Sequence, residues 1–323
     1  MITLGIETSC DETSAAVIAS GRVLSSEISS SVHLHSRYGG VIPEIACRFH
    51  VEYIFPVVKK ALEDAGRTIN EIDLVAVTGQ PGLPGSLLVG GAFARGLSFA
   101  RGVPLIEVNH AHAHIVSCFL KKKEEGDILI EVVFPFIGAV ASGGHTSIYV
   151  CKSFRDFTLI GSTRDDAVGE AFDKVAKILE LGYPGGPVVE ERALDYVDKH
   201  DDAGFPRALL EDKDDLDFSF SGIKTAVMRY WQKSGKTDFE RNKICFSFQE
   251  AVVDIVEEKL IRAVKKTGIR KLALGGGVIN NQNFRERLLA RCEKETIELF
   301  LPRREYCSDN AAMVAALGER LVC

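Results

Sequence analysis

The stretch LGIETSCDETSAAVI, residues 4–18, returns without a gap as IGAVASGGHTSIYVC at residues 137–151. The two copies are identical at five positions, namely Gly5/Gly138, Ser9/Ser142, Thr13/Thr146, Ser14/Ser147 and Val17/Val150. In each copy an apolar run, a short polar turn and a second apolar run predict a strand, a tight turn and a strand. A third strand is predicted from GRVLSSEISS after the first copy and from RDFTLIGST after the second. This repeat predicts a duplicated α/β domain.

Alternating helices and strands are predicted after each copy. The first helices run from Pro43 to Ala65, ending at Gly66, and from Asp166 to Leu181, ending at Gly182. Further strands are predicted at 74–78, 104–108, 271–276 and 297–301, and further helices at 86–100, at 111–120 and from about 281 and 309. The polar run KKKEEGD (121–127) marks the boundary between a domain of residues 1–128 plus 305–323 and a domain of residues 129–304. We expect the two domains to enclose a cleft, with the strand-connecting turns pointing into it.

Composition limits the functional classes. The chain has 323 residues, of which 39 are Lys or Arg and 45 are Asp or Glu, for a formal net charge of −6. A nucleic-acid partner would therefore need a local basic patch or an accessory subunit. Eight scattered cysteines without a C-x-x-C pair indicate reduced thiols. Because no apolar run reaches the roughly 18 residues of a membrane span and no signal sequence opens the chain, a cytoplasmic location is expected.

The turns of the two copies carry different chemistry. SGGHT (142–146) can bring backbone N–H groups close to a phosphate, although Gly-Gly is also common in ordinary hairpins. In TSCDET (8–13), Asp11 and Glu12 could hold a divalent ion or orient a nucleophile, or could simply be turn-forming and solvated acids.

Two more glycine-rich turns precede helices. LGGGV (274–278) permits close approach of a flat group such as adenine, and Asn281 at the following helix entry could reach a sugar. The LGGGV turn matches neither the G-x-G-x-x-G motif of dinucleotide-binding proteins nor a P-loop. YPGGPVVEE (183–191) is predicted to open a helix at Pro187. In the helix before it, spacing alone favours a solvated Asp173 paired with Lys177.

The segment NHAHAH (109–114) is a candidate metal site. Asn109 is a good N-cap, so the histidines are predicted to begin a helix, on which His110 and His114 share a face while His112 points away. Ala111 stands where a zincin metalloprotease has its general-base glutamate, which counts against proteolysis. A third ligand could be Asp309, predicted just inside a helix start capped by Ser308. Its alternative role is to complement the helix dipole.

The motifs together resemble a known family. GIETSCDET, NHAHAH, SGGHTS, DDAVGEAFDKVAKILELGYPGGP, FSFSGIKTAV, GGGVINN and SDNAAM occur in this order over nearly the whole chain. They resemble the TsaD family of tRNA threonylcarbamoyladenosine transferases, once labelled O-sialoglycoprotein endopeptidases. FSFSGIKTAV is similar to the bacterial branch.

The resemblance implies an actin/hexokinase/Hsp70-like (ASKHA) fold, with two duplicated RNase H-like domains flanking a nucleotide-binding cleft. It also implies transfer of a threonylcarbamoyl group from threonylcarbamoyl-AMP to N6 of the adenosine 3′ of the anticodon (position 37) in ANN-decoding tRNAs, releasing AMP. By match to the family's motifs, one divalent ion, iron or zinc, would be held by His110, His114 and Asp309. The residues implied to hold the adenylate, and able to take ATP or ADP, are Val140, Ala141, Ser142, Gly143, Gly144, Asp173, Gly186, Glu190 and Asn281.

The sequence does not identify the general base, for which Glu12 and His145 are candidates. The implied partners are tRNA, a TsaB-like paralogue and a TsaE-like ATPase, and a TsaC/Sua-type synthase would supply threonylcarbamoyl-AMP. No membrane association is implied. The lysines at 121–123 are interpreted as a solvated loop. The alternatives are a small-molecule kinase of the same fold, which would gain nothing from the histidine site, and a non-catalytic nucleotide-binding subunit.

Overall fold

The computed structural model describes residues 1–122 and 133–322. The chain forms two compact units. The first comprises Met1–Phe134, Lys152–Asp156 and Leu301–Cys323, and the second comprises Pro135–Cys151 and Phe157–Phe300. The predicted boundary at residue 128 and Lys123 lie outside the described residues. The loop predicted for the first two lysines is wrong, because Lys121 and Lys122 form a short strand that pairs with Arg22 and Val23.

The first unit is built on a six-stranded mixed sheet with the order β5-β4-β1-β2-β3-β6. Its strands are β1 (Ile2–Glu7), β2 (Glu12–Ala19), β3 (Arg22–Ser30), β4 (Leu74–Gln80), β5 (Leu105–Asn109) and β6 (Lys121–Lys122). Its helices are α1 (Val32–His35), α2 (Pro43–Ala65), α3 (Pro84–Arg101), α4 (His110–Val116) and, from the C-terminal segment, α10 (Ala311–Val322).

The second unit is built on a five-stranded sheet with the order β11-β10-β7-β8-β9. Its strands are β7 (Phe136–Ala141), β8 (Thr146–Ser153), β9 (Asp156–Ser162), β10 (Lys271–Gly275) and β11 (Glu298–Phe300). Its helices are α5 (Val168–Ile178), α6 (Gly185–Leu194), α7 (Ser221–Lys233), α8 (Asp238–Thr267) and α9 (Gln282–Glu295).

The sequence repeat is also a structural repeat. In the antiparallel pair of β1 and β2, Gly5 lies opposite Ala16, and in the pair of β7 and β8 the equivalent Gly138 lies opposite Tyr149. The register is therefore the same in both copies. Each leading strand also has a parallel neighbour on its other side, β4 beside β1 and β10 beside β7. The predicted α/β class is confirmed, with two mixed sheets and helices in each unit.

Strand alternation decides which side chains of β1 reach the functional face. Leu4 and Ile6 point into an apolar core shared with α2 and α3. Thr3 and Glu7 point the other way, and the Thr3 hydroxyl donates to Glu319 of α10 at 3.1 Å. This alternation places Glu7 on the α10 side of the sheet.

Three of the predicted helices have wrong boundaries for a reason that the local contacts explain. The helix predicted from Asp166 to Leu181 is shorter, at Val168–Ile178, because Ala167 is extended and the positive φ of Glu180 ends the helical path. Asp165 instead accepts the Phe220 N–H at 2.8 Å, at the start of α7.

The other two differences concern helix starts. α6 begins at Gly185 rather than Pro187, because the Gly185 N–H is satisfied by the Asp173 carboxylate at 2.7 Å. Asp309 lies before α10 rather than inside it. The side chain of Asn310, not Ser308, accepts the Met313 N–H at 3.0 Å, and the helix starts at Ala311.

Among the described residues, no helix combines the length and apolar character that crossing a membrane requires. Five of the seven described cysteines are buried.

Candidate metal centre and nucleotide site

The histidine segment forms the predicted helix start. Asn109 ends β5, and its side chain accepts the His112 N–H at 3.1 Å, which caps α4. α4 covers His110–Val116, shorter than the predicted 111–120, and a 3₁₀ turn at Ser117–Phe119 continues it. His110 and His114 are buried on one face, with ring centroids 4.6 Å apart.

Asp309 meets both histidines. Its Oδ1 lies 3.0 Å from Nε2 of His114 and 3.6 Å from Nε2 of His110. The short segment before α10 is held there because the Ala311 N–H donates to the Ser14 hydroxyl at 2.9 Å. Ser14 is one of the identities shared by the two copies of the repeat, so the hairpin itself anchors the carboxylate.

The three residues form a ligand set suited to a divalent ion. One ligand-type atom from each lies within 4.8 Å of the others. Two imidazoles and a carboxylate are typical ligands for zinc or iron. Nδ1 of His114 is buried without a hydrogen-bond partner among the described residues, whereas its Nε2 lies 3.0 Å from Asp309 and is the nitrogen that would face the ion. The residues therefore fit the implied metal.

Electrostatics at this centre are dominated by two carboxylates. Burial opposes the charged form of His110, but Asp309 and Glu7 outweigh it and raise the pKa of His110 to about 9. Burial lowers the pKa of His114, which favours the neutral imidazole that metals bind. A site that favours positive charge in this way is suited to a bound cation.

Glu7 is a site residue that sequence reasoning missed. Its carboxylate is fully buried, and Oε2 lies 3.0 Å from Nδ1 of His110. The Thr78 hydroxyl donates to the same oxygen at 2.6 Å, and the Ser9 N–H donates to Oε1. A charged residue ending an otherwise apolar strand was the available signal, because such a residue is rarely buried without a specific partner.

The turn after β1 carries the candidate base Glu12. Burial and the neighbouring Asp11 raise the pKa of Glu12 well above its ordinary value, while the Ser30 hydroxyl donates to its Oε1 at 3.0 Å. The turn is held by His50, whose Nε2 lies 3.0 Å from the Cys10 carbonyl oxygen and whose Nδ1 lies 2.8 Å from the Thr13 hydroxyl.

The equivalent turn in the second unit is glycine-rich and open. The Ser142 N–H donates to the His145 carbonyl at 2.8 Å, which closes the turn, and the Ser142 hydroxyl accepts the His145 N–H at 3.1 Å. Gly143 and Gly144 are exposed at its tip, whereas Val140 and Ala141 are buried in β7. The exposed backbone of the tip can donate N–H groups to an anion.

The N-terminus of α5 packs directly against this turn. The Gly169 N–H donates to the Ser142 carbonyl at 3.0 Å, and the Val168 N–H donates to the Thr146 hydroxyl at 2.8 Å. A Cβ at Gly169 would lie 2.8 Å from both the Cα and the N of Gly143. Gly169 is therefore required for the helix to reach the turn, and sequence reasoning missed both Gly169 and Thr146 in this role.

Asp173 and the YPGGP turn form the next contact. The Asp173 carboxylate accepts the Gly185 N–H, so spacing alone misjudged it as a solvated partner of Lys177. A Cβ at Gly185 would lie 2.5 Å from the Cα of Asp173, whereas one at Gly186 would meet open space. A residue without a side chain is therefore required at position 185, whereas Gly186 leaves open space beside the start of the helix.

Glu190 and Asn281 close the set of predicted residues. Glu190 accepts the Gln282 N–H at 2.6 Å, next to Asn281. The Asn281 side chain caps α9 by accepting the Phe284 N–H at 3.0 Å, and it donates to Gln249 at 2.7 Å. One amide hydrogen and one oxygen lone pair of Asn281 remain after these bonds.

The comparisons with known proteins agree with this geometry. A family model described as TsaD, tRNA N6-adenosine threonylcarbamoyltransferase, matches residues 22–316. The chain belongs to the TsaD family. A relative from Syntrophus aciditrophicus (strain SB), named tRNA N6-adenosine threonylcarbamoyltransferase, is 46% identical over 325 residues and is aligned over 100% of this chain and 93% of its own length. The resemblance predicted from the motifs is confirmed.

Solved structures support the fold. Full-length HypF in the phosphate- and nucleotide-bound form is similar with a TM-score of 0.61 at 16% identity, over 99% of this chain and 55% of that one. Component A of the (R)-2-hydroxyglutaryl-CoA dehydratase from Acidaminococcus fermentans gives a TM-score of 0.55 at 14% identity, over 98% of this chain and 97% of that one. With the two mixed sheets, these similarities confirm the predicted actin/hexokinase/Hsp70-like fold class.

Proposed function

We propose that this TsaD family member transfers the threonylcarbamoyl group of threonylcarbamoyl-AMP to N6 of a tRNA adenosine, position 37 of ANN-decoding tRNAs. The adenine amine attacks the carbamoyl carbonyl carbon, the bond from that carbon to the phosphate oxygen breaks, and AMP leaves while N6 loses a proton. The observation that carries the proposal is the convergence of His110 and His114 on Asp309, in a chain that belongs to this family.

The metal-binding part of the proposal concerns the first unit. His110, His114 and Asp309 would hold one iron or zinc ion, which when bound supplies a Lewis acid for a carbonyl group. The chain's own contribution is to present two buried imidazoles and a carboxylate that need no large rearrangement to become ligands. Ser14 and Asn310 fix the segment that carries Asp309.

The adenylate-binding part concerns the second unit. We assign the phosphate to the backbone N–H groups of Gly143 and Gly144 and to the N-terminus of α5, whose dipole favours an anion. Asp173, Gly186, Glu190 and Asn281 would contact the nucleoside, and ATP or ADP could use the same positions. The hydrogen bonds of Asp173 and Glu190 to backbone N–H groups support the proposal because they hold both carboxylates in defined places.

For the general base we favour Glu12 over His145. Glu12 shares its turn with Ser9, which contacts His110, and burial and Asp11 raise the pKa of Glu12, which makes its carboxylate a stronger base. His145 holds its turn closed through its backbone, which gives it a structural role already. Glu12→Gln should lower the transfer rate constant and alter its pH profile, whereas His145→Gln should leave the profile unchanged.

The proposed partners follow from family membership and charge. Because its formal net charge is −6, the overall electrostatic potential of the chain does not favour binding to tRNA. We propose that a TsaB-like paralogue and a TsaE-like ATPase assist it and that a TsaC/Sua-type synthase supplies threonylcarbamoyl-AMP.

The test is in vitro transfer. The purified chain, loaded with zinc or iron, is incubated with partner subunits, threonylcarbamoyl-AMP and unmodified tRNA, and nucleosides are analysed by mass spectrometry. The proposal predicts threonylcarbamoyladenosine from wild type, a large loss with His110→Ala and retention with His112→Asn. No product from the loaded wild type would overturn it, and ADP formation from ATP with a small-molecule acceptor would instead favour a kinase.

A further inference from the structure

The two histidines of the proposed metal site differ in what lies behind them. Nδ1 of His110 faces the Glu7 carboxylate at 3.0 Å and the Ser9 hydroxyl at 3.1 Å. Nδ1 of His114 is buried and has no hydrogen-bond partner among the described residues. The two imidazoles are therefore oriented by different means, although both Nε2 atoms approach the same oxygen of Asp309.

We infer that Glu7 is a positioning residue that holds His110 in the tautomer with its proton on Nδ1, leaving the Nε2 lone pair for a metal ion. This inference rests on the metal site proposed above. A carboxylate can only accept, so a neutral His110 next to Glu7 places its N–H on Nδ1. Partners of this kind fix the ring orientation of metal ligands and raise their basicity.

The Glu7 carboxylate is itself held rigidly. Oε1 accepts the Ser9 N–H, and Oε2 accepts the Thr78 hydroxyl as well as facing His110. Its donors come from its own turn and from the neighbouring strand β4, and the side chain is fully buried. It has little freedom to turn away from the imidazole.

These contacts make Glu7→Gln an informative substitution. If the glutamine amide nitrogen takes the place of Oε2, it donates to Nδ1 of His110 and forces the proton onto Nε2, which then cannot bind a metal. If the amide is flipped, its N–H groups face the Ser9 N–H, and two donors oppose each other. Either arrangement penalises the metal-binding tautomer without changing the size of the side chain.

Glu319→Gln is the matched control. Glu319 is also buried in the first unit, and it accepts the Gly21 N–H at 2.8 Å and the Thr3 hydroxyl at 3.1 Å, while no histidine of the described residues bonds to it. It reproduces the cost of burying an amide in place of a carboxylate. A merely structural effect of Glu7→Gln should therefore appear in Glu319→Gln as well.

The experiment measures Zn²⁺ affinity by chelator competition for wild type, Glu7→Gln, Glu319→Gln and His110→Ala, with circular dichroism to verify folding. We expect Glu7→Gln to weaken Zn²⁺ binding about 10–100-fold and Glu319→Gln to leave it within about twofold of wild type. An unchanged affinity in folded Glu7→Gln, or equal losses in both glutamine variants, would overturn the inference.

A spectroscopic readout covers the case in which Glu7→Gln fails to fold. Nitrogen-15 NMR of the Zn²⁺-loaded wild type should place the His110 proton on Nδ1, and a proton on Nε2 would overturn the inference. The outcome for the proposed function is separate. If wild type and His110→Ala bind Zn²⁺ equally, the metal site itself fails, whereas a loss in His110→Ala with none in Glu7→Gln rejects only the role of Glu7.

Discussion

The two hairpins of the repeat share a register but carry opposite chemistry. The turn between β1 and β2 is surrounded by the buried or half-buried acids Glu7, Asp11 and Glu12, next to imidazoles. The turn between β7 and β8 exposes Gly143 and Gly144 and meets a helix N-terminus. The difference shows how one backbone scaffold can be suited to a cation in one copy and to an anion in the other, according to the residues that occupy its turn.

Ser14 and Thr146 illustrate how repeat identities acquire separate roles. Ser14 anchors the segment carrying Asp309, whereas Thr146 accepts the Val168 N–H at the start of α5. Each hydroxyl fixes the element that completes its own site. Variants at each hairpin should therefore damage one function and spare the other.

The largest effect is expected at the first hairpin. His110→Ala removes one of three proposed ligands and should lower metal affinity by more than the about 10–100-fold typical of supporting residues. Adenylate affinity should be unchanged. Metal content by mass spectrometry and nucleotide titration by calorimetry measure the two properties. His112→Asn is the control, and a variant of His110 that keeps one metal per chain would contradict the assignment.

The second largest effect is expected from Gly169→Ala. The added Cβ would lie 2.8 Å from the backbone of Gly143 and push α5 from the turn. Overpacking of this kind costs about 1–3 kcal/mol, which if expressed fully in binding weakens adenylate affinity about 5–150-fold. Metal content should not change. Gly222→Ala, where a Cβ meets open space, is the control. Equal adenylate affinities in the two alanine variants would show that α5 does not shape the turn.

A smaller effect is expected from Thr146→Val. Losing the hydroxyl leaves the Val168 N–H without its acceptor, which should lower the free energy of unfolding by about 1–3 kcal/mol. Adenylate binding should weaken because α5 loses a tether. The matched variant is Thr13→Val, at the equivalent position of the first hairpin, where the hydroxyl pairs with His50 instead. Urea unfolding and calorimetry should assign an adenylate defect to Thr146→Val alone, and the same defect in Thr13→Val would reject the comparison.

The smallest effect concerns pH and Asp166, in the segment before α5. Burial raises its pKa, but Lys174 and Lys224 outweigh burial and hold the pKa below its ordinary value of 3.8. With a depressed folded pKa, the stabilisation is present above pH 3.8 and is lost as pH falls through the folded value. Asp166→Asn should therefore cost about 0.2–1 kcal/mol at pH 6. The difference in urea midpoint between wild type and Asp166→Asn should close below pH 3.8. A difference that widens there would contradict the proposed role of the two ion pairs.

Much of the fold could be predicted from local pattern. The alternation in residues 4–18 and 137–151 revealed two equivalent hairpins, and Pro43 and Gly66 bracket a helix at its observed ends. Helix periodicity placed His110 and His114 on one face. These signals depend on residues close together in the sequence, so they can be recognised from the sequence alone.

Contacts between distant segments could not be predicted in this way. Glu7 and His110 are 103 residues apart, and nothing local in IETSC indicates that a carboxylate would turn toward an imidazole. Gly169 is unremarkable in a helical pattern until the Ser142 turn lies against it. The start of α10 was misplaced because Ser308, Asp309 and Asn310 are all good caps, and only the observed bond from Met313 selects Asn310.

The most direct test is to measure metal content and the affinity for AMP, which lacks the carbonyl that the metal would polarise, in wild type, His110→Ala and Gly169→Ala. We predict that His110→Ala loses the metal and keeps the affinity, and that Gly169→Ala keeps the metal and loses the affinity. If both variants lose both properties, or if His110→Ala weakens only the adenylate, the division of labour between the two hairpins is wrong.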